Sequence, residues 1–545
     1  IMNYFHERSK FEELESNIEY YQLLKMSDDE FTNWARLLRK EITHQWDVNS
    51  TPPVIGRDRN DIITSLKKLK GNSCDFLKTD LSDDTDSLGI IQNFNKDASV
   101  VNQFFPTMLK TKISSGKTTD NGISIYDHFG DPDMEDKFIR IMKRAVKRDS
   151  MYSWSRSVVT KPDENPFWNG QTGFELIKDI HNGNVFRGEY SNYDISISKV
   201  KESTLENYGT VNDQFLEFNN LYCTYEEIKQ CLENGWLKSH QVSNIDKLES
   251  ESESQSGNVT KYSYQIRWYD KSTQIFPKIF SVFRLSCGQP AVNFPALTAK
   301  YLYETYTSHI KQSEPLNIYD SSSGWGGRIL GAMSSRKKFH YIGTDPNPDN
   351  FIPSIGISRY EYMANFYNDN CVDDFPDTFG KFFEITKTSN TFELFHNGSE
   401  LIQHNPEFQK YKGTLDIAFT SPPYFNRERY GDKGTGQSWD EYSDYDNWRD
   451  NFLKPTLVTI FEYLKHDRYI LWNIADIKIG TDLYYPLEQD SIDILTELGC
   501  KYKGKLKMKM TRMVGLDSAS EGVKNKVFHD GSWSKYEPIF IFRKP

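Results

Sequence analysis

The sequence predicts an α/β fold, with a doubly wound, mostly parallel sheet in its C-terminal half and a large, mostly helical N-terminal region. From about residue 280 onward, short apolar runs alternate with stretches of helical spacing, as in chains whose parallel strands are joined by helices. Before that point, polar segments of helical spacing predominate. We therefore predict three parts: a helical region at 1–165, a mixed α/β connecting region at 166–280, and an α/β domain at 281–545.

The apolar runs are short enough to be buried strands, and the segments between them have helical spacing. The strand candidates are 317–320, 340–345, 415–419 and 468–473, and the helix candidates are 296–309, 355–367 and 447–464. In the connecting region, 262–269 alternates as a strand does, and 225–237 has helical character. The acidic Ser/Glu-rich stretch 248–258 has little to bury, so we expect a solvated loop or linker there.

In the N-terminal region we predict helices at 31–39 and 134–148. The first follows the capping signal Ser-Asp-Asp-Glu at residues 27–30, which satisfies the first free N–H groups of a helix. The second ends in a cluster of basic residues.

Composition excludes several classes of protein. The chain has 545 residues, 37% of them hydrophobic and 14% aromatic, enough for sizeable cores and unlike a disordered protein. No run approaches the roughly 18 apolar residues of a membrane span. The six cysteines form no Cys-x-x-Cys pair, which disfavours a zinc ribbon or disulfide scaffold and is typical of a cytoplasmic protein. The histidines show no ligand spacing, and we expect no metal.

A glycine-rich turn follows the strand candidate 317–320 and opens a helix. Residues 320–328 read Asp-Ser-Ser-Ser-Gly-Trp-Gly-Gly-Arg, and such glycines let the backbone approach a ligand closely. A second acid, Asp345, ends the next strand candidate about 25 residues later, where acidic residues accept hydrogen bonds from ribose hydroxyls. The predicted cofactor-binding residues here are Asp320, Ser322, Gly324, Gly326, Asp345 and Pro346.

The turn does not match the Gly-x-Gly-x-x-Gly pattern of dinucleotide-binding proteins, and Trp325 within it would crowd a pyrophosphate. A cofactor with ribose and adenine but no phosphates fits better, and this indicates S-adenosylmethionine. The alternative is a glycine-rich turn that binds no ligand.

The most specific signal is Thr-Ser-Pro-Pro-Tyr at residues 420–424, at the end of a strand candidate. Prolines cannot continue a sheet ladder, so they leave main-chain carbonyls without a ladder partner at the strand end. A carbonyl and the Ser421 hydroxyl can accept hydrogen bonds from an exocyclic amino group, drawing its lone pair out of conjugation, while Tyr424 can stack on a base. We predict Ser421, Pro422, Pro423 and Tyr424 as catalytic residues; an ordinary strand-ending turn is the alternative.

These residues resemble the DNA methyltransferases that methylate amino groups, at N4 of cytosine or N6 of adenine. The resemblance covers about residues 285–545 and includes Asn293-Phe294-Pro295, the strand end at 472–476 and the closing strand at 535–542. It implies a Rossmann-like methyltransferase domain in which Asn293, Phe294 and Pro295 close over the methionine end of the cofactor. The serines at 321–323 and Trp325 depart from the leaner glycine motif of the family.

The resemblance implies methyl transfer from S-adenosylmethionine to a base flipped out of double-stranded DNA. Ser421 favours cytosine N4, with adenine N6 as the alternative. Methylation at C5 is excluded because it needs a Pro-Cys nucleophile, and no cysteine here follows a proline. Methylation of RNA or of a protein glutamine, and a non-catalytic DNA-binding or interaction protein with a retired methyltransferase fold, remain as alternatives. A cognate nuclease or another defence or modification partner is left open.

Three basic clusters are candidates for phosphate contacts, and the net charge of −11 does not exclude DNA because binding needs only a local basic patch. Lysines at every second residue from 501 to 509 would share one face of a strand. The alternative is an edge strand whose lysines prevent aggregation. The second cluster lies on the helix at 134–148, where a solvated face is the alternative, and the third follows the catalytic motif. The predicted DNA contacts are Lys505, Lys507, Lys143, Arg144, Lys147, Arg427 and Arg429.

The chain after Tyr424 is long enough only to finish the sheet, so we expect residues 1–280 to read the target, with 1–165 as the candidate recognition region.

Overall fold

The computed structural model describes the parts of the chain on which the following account is based. They are Leu23 and residues 26–49, 52–53, 57–78, 84–92, 96–113, 122–148, 155–157, 178, 181–182, 190–199, 222–223, 225–237, 242, 262–270, 276, 279–287, 290–352, 355–372, 390–431, 433–480, 483–510, 524–529 and 532–545. The loop or linker predicted at 248–258 lies outside the described residues.

The helices alternate with strands in the C-terminal half and cluster near the N-terminus. In chain order they are α1 (Asp28–Asn49), α2 (Arg59–Leu69), α3 (Asp127–Gly130), α4 (Glu135–Lys143), α5 (Tyr225–Glu233), α6 (Phe280–Ser286), α7 (Ala296–Tyr306), α8 (Gly327–Met333), α9 (Arg359–Cys371), α10 (Ser438–Glu441), α11 (Tyr445–Trp448), α12 (Lys454–Tyr463) and α13 (Leu487–Glu497). No helix in the described part of the chain has the length and apolar character needed to cross a membrane.

The strands belong to one large sheet and several small ones. In chain order they are β1 (Asp75–Leu77), β2 (Ser87–Gln92), β3 (Lys112–Ile113), β4 (Ser155–Ser157), β5 (Tyr190–Lys199), β6 (Tyr222–Cys223), β7 (Tyr262–Asp270), β8 (Leu316–Asp320), β9 (Phe339–Thr344), β10 (Phe351–Ile352), β11 (Ile357–Ser358), β12 (Thr391–Phe395), β13 (Leu415–Thr420), β14 (Glu428–Arg429), β15 (Leu464–Asn473), β16 (Ile477–Lys478), β17 (Tyr484–Tyr485), β18 (Lys501–Lys509), β19 (Lys526–His529) and β20 (Ser532–Arg543).

The large sheet has the order β12-β9-β8-β13-β15-β20-β18-β2-β1, with β19 paired to β20. The five strands from β12 to β15 run parallel, and β20 lies antiparallel between β15 and β18. From β8 the chain builds outward through β9 and β12 on one side, then crosses to β13 and β15 on the other. The order therefore reverses between β8 and β13, at the point where open α/β sheets bind their ligands.

Helices cover both faces of this sheet, so the predicted doubly wound, Rossmann-like α/β fold is confirmed. Successive residues of a strand point to opposite faces. Ile318 and Ile417 pack in one apolar cluster with residues of α7, α8 and α9. Their neighbours Tyr319 and Ala418 pack in a second cluster with residues of α12 and α13.

The predicted strands match β8, β9, β13, β15 and β7, while the helices differ from the prediction in their ends or regularity. Helix α9 begins at Arg359 because Ser358 and Glu361 form a capping box, in which Ser358 Oγ accepts from Glu361 N–H at 3.1 Å. The predicted helix at 447–464 contains a π-helical turn at Arg449–Leu453. Pro455 follows this turn, and a proline has no N–H for the regular helical ladder.

Helix α1 begins where its capping signal predicts. The Glu30 carboxylate accepts from Ser27 N–H at 2.8 Å, and Ser27 Oγ accepts from Glu30 N–H at 3.3 Å. Helices α1, α3, α4 and α6 share an aromatic core that includes Trp46, Phe129 and Phe283. The helices predicted for this part of the chain are therefore present.

Segments from the N-terminal region belong to the core of the large sheet. Strand β2 pairs parallel with β18, and β1 pairs antiparallel with β2. Lys300 of α7, 1% exposed, donates to the carbonyls of Leu69, Lys70 and Asn72 at 2.7–2.8 Å. The boundary predicted at residue 281 thus separates segments that pack together. Further along, β4, β5, β6 and β7 form a separate antiparallel sheet around β7.

Replacing Lys300 by methionine is expected to lower the free energy of unfolding by about 2–4 kcal/mol. The three hydrogen bonds that the Lys300 ammonium donates to carbonyls at the end of α2 would be lost, and a hydrogen bond to a charged group contributes about 1.5–3 kcal/mol before the structure relaxes. Urea unfolding followed by circular dichroism measures the change. The exposed Lys311→Met is the control and should stay within about 0.5 kcal/mol of wild type; equal losses in the two variants would contradict the prediction.

Candidate active site

The glycine turn joins β8 to α8 and brings its backbone against neighbouring segments. Gly324 and Gly326 have φ angles of 63° and 80°, in the left-handed region that favours glycine. A Cβ atom at Gly326 would collide with the ring of Phe105, and one at Gly327 with the carbonyl oxygen of Phe294. The turn therefore requires glycine for close packing as well as for conformation.

Asp320 lies beneath this turn, fully buried, and its carboxylate accepts four hydrogen bonds. Arg328 Nε (2.8 Å) and the Tyr341 hydroxyl (2.6 Å) donate to one oxygen. The Ser322 backbone N–H (3.2 Å) and the Thr420 hydroxyl (2.8 Å) donate to the other. With its acceptors occupied in this way, Asp320 supports the turn from below and is not part of the cavity lining.

Asp345 faces the same turn from the end of β9. One carboxylate oxygen accepts from Gly324 N–H at 3.0 Å, and the other accepts from Asn347 N–H at 2.9 Å. Burial raises the pKa of the Asp345 carboxyl, while these two N–H groups act to lower it. The Tyr360 hydroxyl also acts to lower it. A carboxylate has about four acceptor positions, so one remains for a hydroxyl donor.

The Ser-Pro-Pro-Tyr motif follows the end of β13 with no regular secondary structure. Within the described part of the chain, no backbone N–H donates to the carbonyls of residues 421–423, as the sequence predicts for two successive prolines. Ser421 and Pro423 are half-buried. Their partial exposure leaves the hydroxyl of Ser421 and the adjoining carbonyls accessible to a ligand.

A cavity with about 560 Å³ of empty space, part of it open to solvent, lies where β8, β9, β12 and β13 end. It brings together six of the predicted site residues: Ser322, Gly324, Asp345, Pro346, Ser421 and Pro423. The glycine turn, the ribose-type acid and the Ser-Pro-Pro-Tyr motif therefore share one cavity.

Several predicted residues lie behind the cavity wall rather than on it. Pro422 is buried, and Tyr424, 9% exposed, packs in the apolar cluster between the sheet and α12. Neither side chain lines the cavity, nor does Gly326. The base-stacking face predicted for Tyr424 is thus not presented to the cavity in this structure.

The segment Asn293-Phe294-Pro295 supports the glycine turn from its other side. Asn293 Nδ2 donates to the Trp325 carbonyl at 2.6 Å, the Phe294 ring lies edge-on to Phe419 with centroids 5.2 Å apart, and Pro295 precedes α7. None of the three lines the cavity. They hold the turn in place instead of covering a ligand.

Sequence reasoning missed one wall of the cavity. Glu400, Gln437 and Ser438 line it, and Glu400 Oε2, Gln437 Nε2 and Ser438 Oγ are buried without a hydrogen-bond partner among the described residues. Ser321 Oγ on the opposite wall is in the same state. The signal for Glu400 was available, because the alternating stretch of β12 predicts a third strand and an acid follows it. Gln437 and Ser438 carry no sequence signal.

The lysine strand differs from the prediction. Strand β18 has neighbours on both sides, so it is not an edge strand, and bulges interrupt its register against both partners. Lys507 is fully buried with its Nζ 2.7 Å from Asp84, and Lys505 lies 3.6 Å from the same carboxylate. The prediction of a phosphate-facing row is wrong for these two lysines, because an internal acid, Asp84, binds both.

The other predicted DNA contacts are divided between two parts of the molecule. Lys143 pairs with Asp28 at 2.5 Å, which joins α4 to α1. Arg144 begins the π-helical turn Arg144–Arg148, and the side chain of Lys147 lies outside the described residues. Arg427 and Arg429 are half-buried just after the catalytic motif, with the Arg429 guanidinium 5.5 Å from the Trp439 ring centre.

Two carboxyls lie near Tyr424 behind the motif. Burial and then Glu537 and Glu428 raise the pKa of the Tyr424 hydroxyl well above its usual value, while the Ser421 side chain acts to lower it. Burial, and then the charge of Glu428, raises the pKa of Glu537 to about 7. Among the described residues, no group of His, Cys, Asp and Glu side chains is arranged to hold a metal ion.

Comparison with known proteins gives the following similarities. No family model and no curated protein sequence matches the chain. Solved structures with similar regions include a protein from Thermus thermophilus, provisionally named a DNA modification methylase and complexed with S-adenosyl-L-methionine, at 20% identity and a TM-score of 0.18 over 27% of this chain and 53% of that one. A similar S-adenosylmethionine-dependent methyltransferase from Methanosarcina mazei has 12% identity and a TM-score of 0.24 over 45% of this chain and 96% of that one. Another, from Agrobacterium tumefaciens, has 14% identity and a TM-score of 0.26 over 47% of this chain and 64% of that one.

The chain spans about half the length of the Thermus protein. These identities and TM-scores are too low to support an argument about activity. The fold assignment therefore depends on the strand order and connections of the large sheet itself.

Replacing Glu537 by glutamine is expected to change the pH dependence of stability. The pKa of Glu537 is raised from 4.5 to about 7 in the folded protein, so folding takes up a proton between these values and wild-type stability falls as pH rises through them. The glutamine takes up no proton, so the free energy of unfolding of the variant, relative to that of wild type, should rise by about 1–2 kcal/mol between roughly pH 5 and pH 8. Urea unfolding at each pH measures this; the exposed Glu407→Gln is the control, and parallel curves for wild type and Glu537→Gln would refute the prediction.

Proposed function

We propose that the chain is an S-adenosylmethionine-dependent DNA methyltransferase that acts on the exocyclic amino group of a flipped base, with cytosine N4 favoured. The observation that carries the proposal is the shared cavity: Asp345 and the glycine turn form one side, and Ser421 and Pro423 form another. A donor and an acceptor bound in the same cavity can be held at reacting distance, and such positioning can supply roughly 7–11 kcal/mol of a barrier.

The residues present fit this cofactor. Asp345 has an acceptor position left for a ribose hydroxyl. The unpartnered Glu400 Oε2 and Gln437 Nε2 offer an acceptor and a donor, the complement of an amino group beside a ring nitrogen, as on an adenine edge. Unpaired buried polar atoms cost about 1–3 kcal/mol each, so a ligand that pairs with them binds with that much advantage. Bound S-adenosylmethionine would supply an electrophilic methyl group.

The catalytic side of the proposal rests on the Ser-Pro-Pro-Tyr motif. The Ser421 hydroxyl and the carbonyls of residues 421–423 accept from the amino group of the base and orient its lone pair. Trp325, Tyr430 and Phe452 line the cavity and offer apolar faces for flat rings, the role predicted from the sequence for Tyr424. Flipping a base costs a few kcal/mol, which stacking in a closed pocket offsets in part.

Nucleoside mass spectrometry of DNA from cells that express the chain tests this proposal. We expect N4-methylcytosine with wild type and little or none with Pro423→Ala, because alanine restores an N–H and frees the backbone that aligns the acceptor carbonyls. The matched control is Pro406→Ala, an exposed proline that does not line the cavity. N6-methyladenine would change the base assignment, and unmodified DNA with wild type would refute the activity.

Replacing Asp345 by alanine is expected to weaken S-adenosylmethionine binding by about tenfold to a hundredfold, the value of hydrogen bonds to a charged group. Isothermal titration calorimetry with purified protein measures the dissociation constant. Asp349→Ala is the control, a half-buried acid four residues away that does not line the cavity. Unchanged affinity in Asp345→Ala would remove Asp345 from the site.

A further inference from the structure

The glycine turn is held by a segment from the N-terminal region. This segment, here named the brace, comprises residues 97–113: the 3₁₀ helices Asp97–Gln103 and Pro106–Lys110 and the strand β3. More than 200 residues of sequence separate it from the turn, yet it contacts the turn at successive positions. Neither the glycine motif nor the Ser-Pro-Pro-Tyr motif assigns it a role.

The first contact runs through Asn350, which is 3% exposed and lines the cavity. The Thr107 hydroxyl donates to Asn350 Oδ1 at 2.9 Å. This bond orients the amide so that Nδ2 donates to the Gly324 carbonyl at 3.1 Å and to the Tyr360 hydroxyl at 2.8 Å. Tyr360 in turn donates to the same Gly324 carbonyl. Thr107 thus determines which way the Asn350 amide points.

The second contact runs through Asn293. Its Nδ2 donates to the Trp325 carbonyl at 2.6 Å and to Asn102 Oδ1 of the brace at 3.2 Å. Between these two contacts the ring of Phe105 lies against Gly326, where a Cβ atom would collide with it. Three successive residues of the turn, 324–326, are therefore positioned by the brace.

The same segment reaches the catalytic motif. Strand β3 pairs antiparallel with β14, with Ile113 opposite Glu428 and Lys112 opposite Arg429. Strand β14 begins four residues after Tyr424. One short segment thus contacts the loops that follow both β8 and β13, which are the two sides of the cavity.

We propose that the brace is a positioning element that sets the glycine turn in its cofactor-binding geometry, with Thr107 as the positioning residue that acts through Asn350 on Gly324. This inference deepens the proposed function and depends on it for the identity of the ligand. Thr107 itself does not line the cavity, so it acts on the ligand only through the turn.

The test compares Thr107→Val, which removes the hydroxyl at nearly constant volume, with Thr107→Ser, which keeps it. In the valine variant Asn350 Oδ1 loses its donor, so we expect faster amide hydrogen exchange over residues 322–327 and S-adenosylmethionine binding weaker by about fivefold to tenfold. With DNA as acceptor, KM for the cofactor should rise by the same factor while kcat stays within about twofold, because no group that touches the base is changed. The serine variant should match wild type in all three measurements.

Thr43→Val is the matched control for the loss of a half-buried threonine hydroxyl, since the Thr43 hydroxyl donates to the Phe129 carbonyl at 2.7 Å within the helical part. It should leave exchange at the turn and cofactor affinity unchanged. Unchanged exchange at 322–327 in Thr107→Val, or faster exchange with unchanged affinity, would overturn the positioning role. If the wild-type protein bound no S-adenosylmethionine, the proposed function would fail, whereas the exchange comparison would still decide whether the brace holds the turn.

Discussion

The buried carboxylate of Asp320 is the interaction on which the geometry of the cavity depends. It ends β8, yet its hydrogen bonds reach the glycine turn through Ser322, helix α8 through Arg328, and the end of β13 through Thr420. A buried carboxylate is stable only when its acceptors are satisfied, so these segments have to meet at one point. Thr420 directly precedes the catalytic motif, and the same carboxylate therefore joins both sides of the cavity.

The cavity follows from the reversal of strand order at β8 and β13. Loops that leave two parallel strands toward opposite sides of a sheet open a crevice between them. In this chain, residues far apart in sequence line that crevice: Ser322, Asp345, Glu400 and Ser421 each follow a different strand of the sheet. Four polar atoms on its walls lack partners among the described residues, and buried polar atoms are stable only when they are hydrogen-bonded.

The N-terminal region contributes more to this site than its separation in sequence indicates. It adds β1 and β2 to the sheet, its helix α2 is held by Lys300 of α7, and the brace holds the glycine turn. Lys300 and Asn350 are buried side chains that donate to backbone carbonyls. Buried polar groups need such partners. The two parts of the chain are for this reason one structural unit around the cavity.

Local sequence was enough to predict the central strands of the sheet, the fold class and the two motifs that meet in the cavity. Apolar runs such as 415–419 predict buried strands, and glycine and proline predict the turns between elements. These are local signals, because the backbone geometry of glycine and proline is a property of the residue itself. Which motif residues face the cavity was settled by long-range packing, because Asp320 and Tyr424 are turned away from it by partners distant in sequence. The same is true of Lys507, which the alternating lysines predict to face phosphates but which is buried in a pair with Asp84. Long-range pairing leaves no trace in local periodicity, and for that reason the sequence could not reveal Gln437 and Ser438 in the cavity wall or the brace that holds the glycine turn.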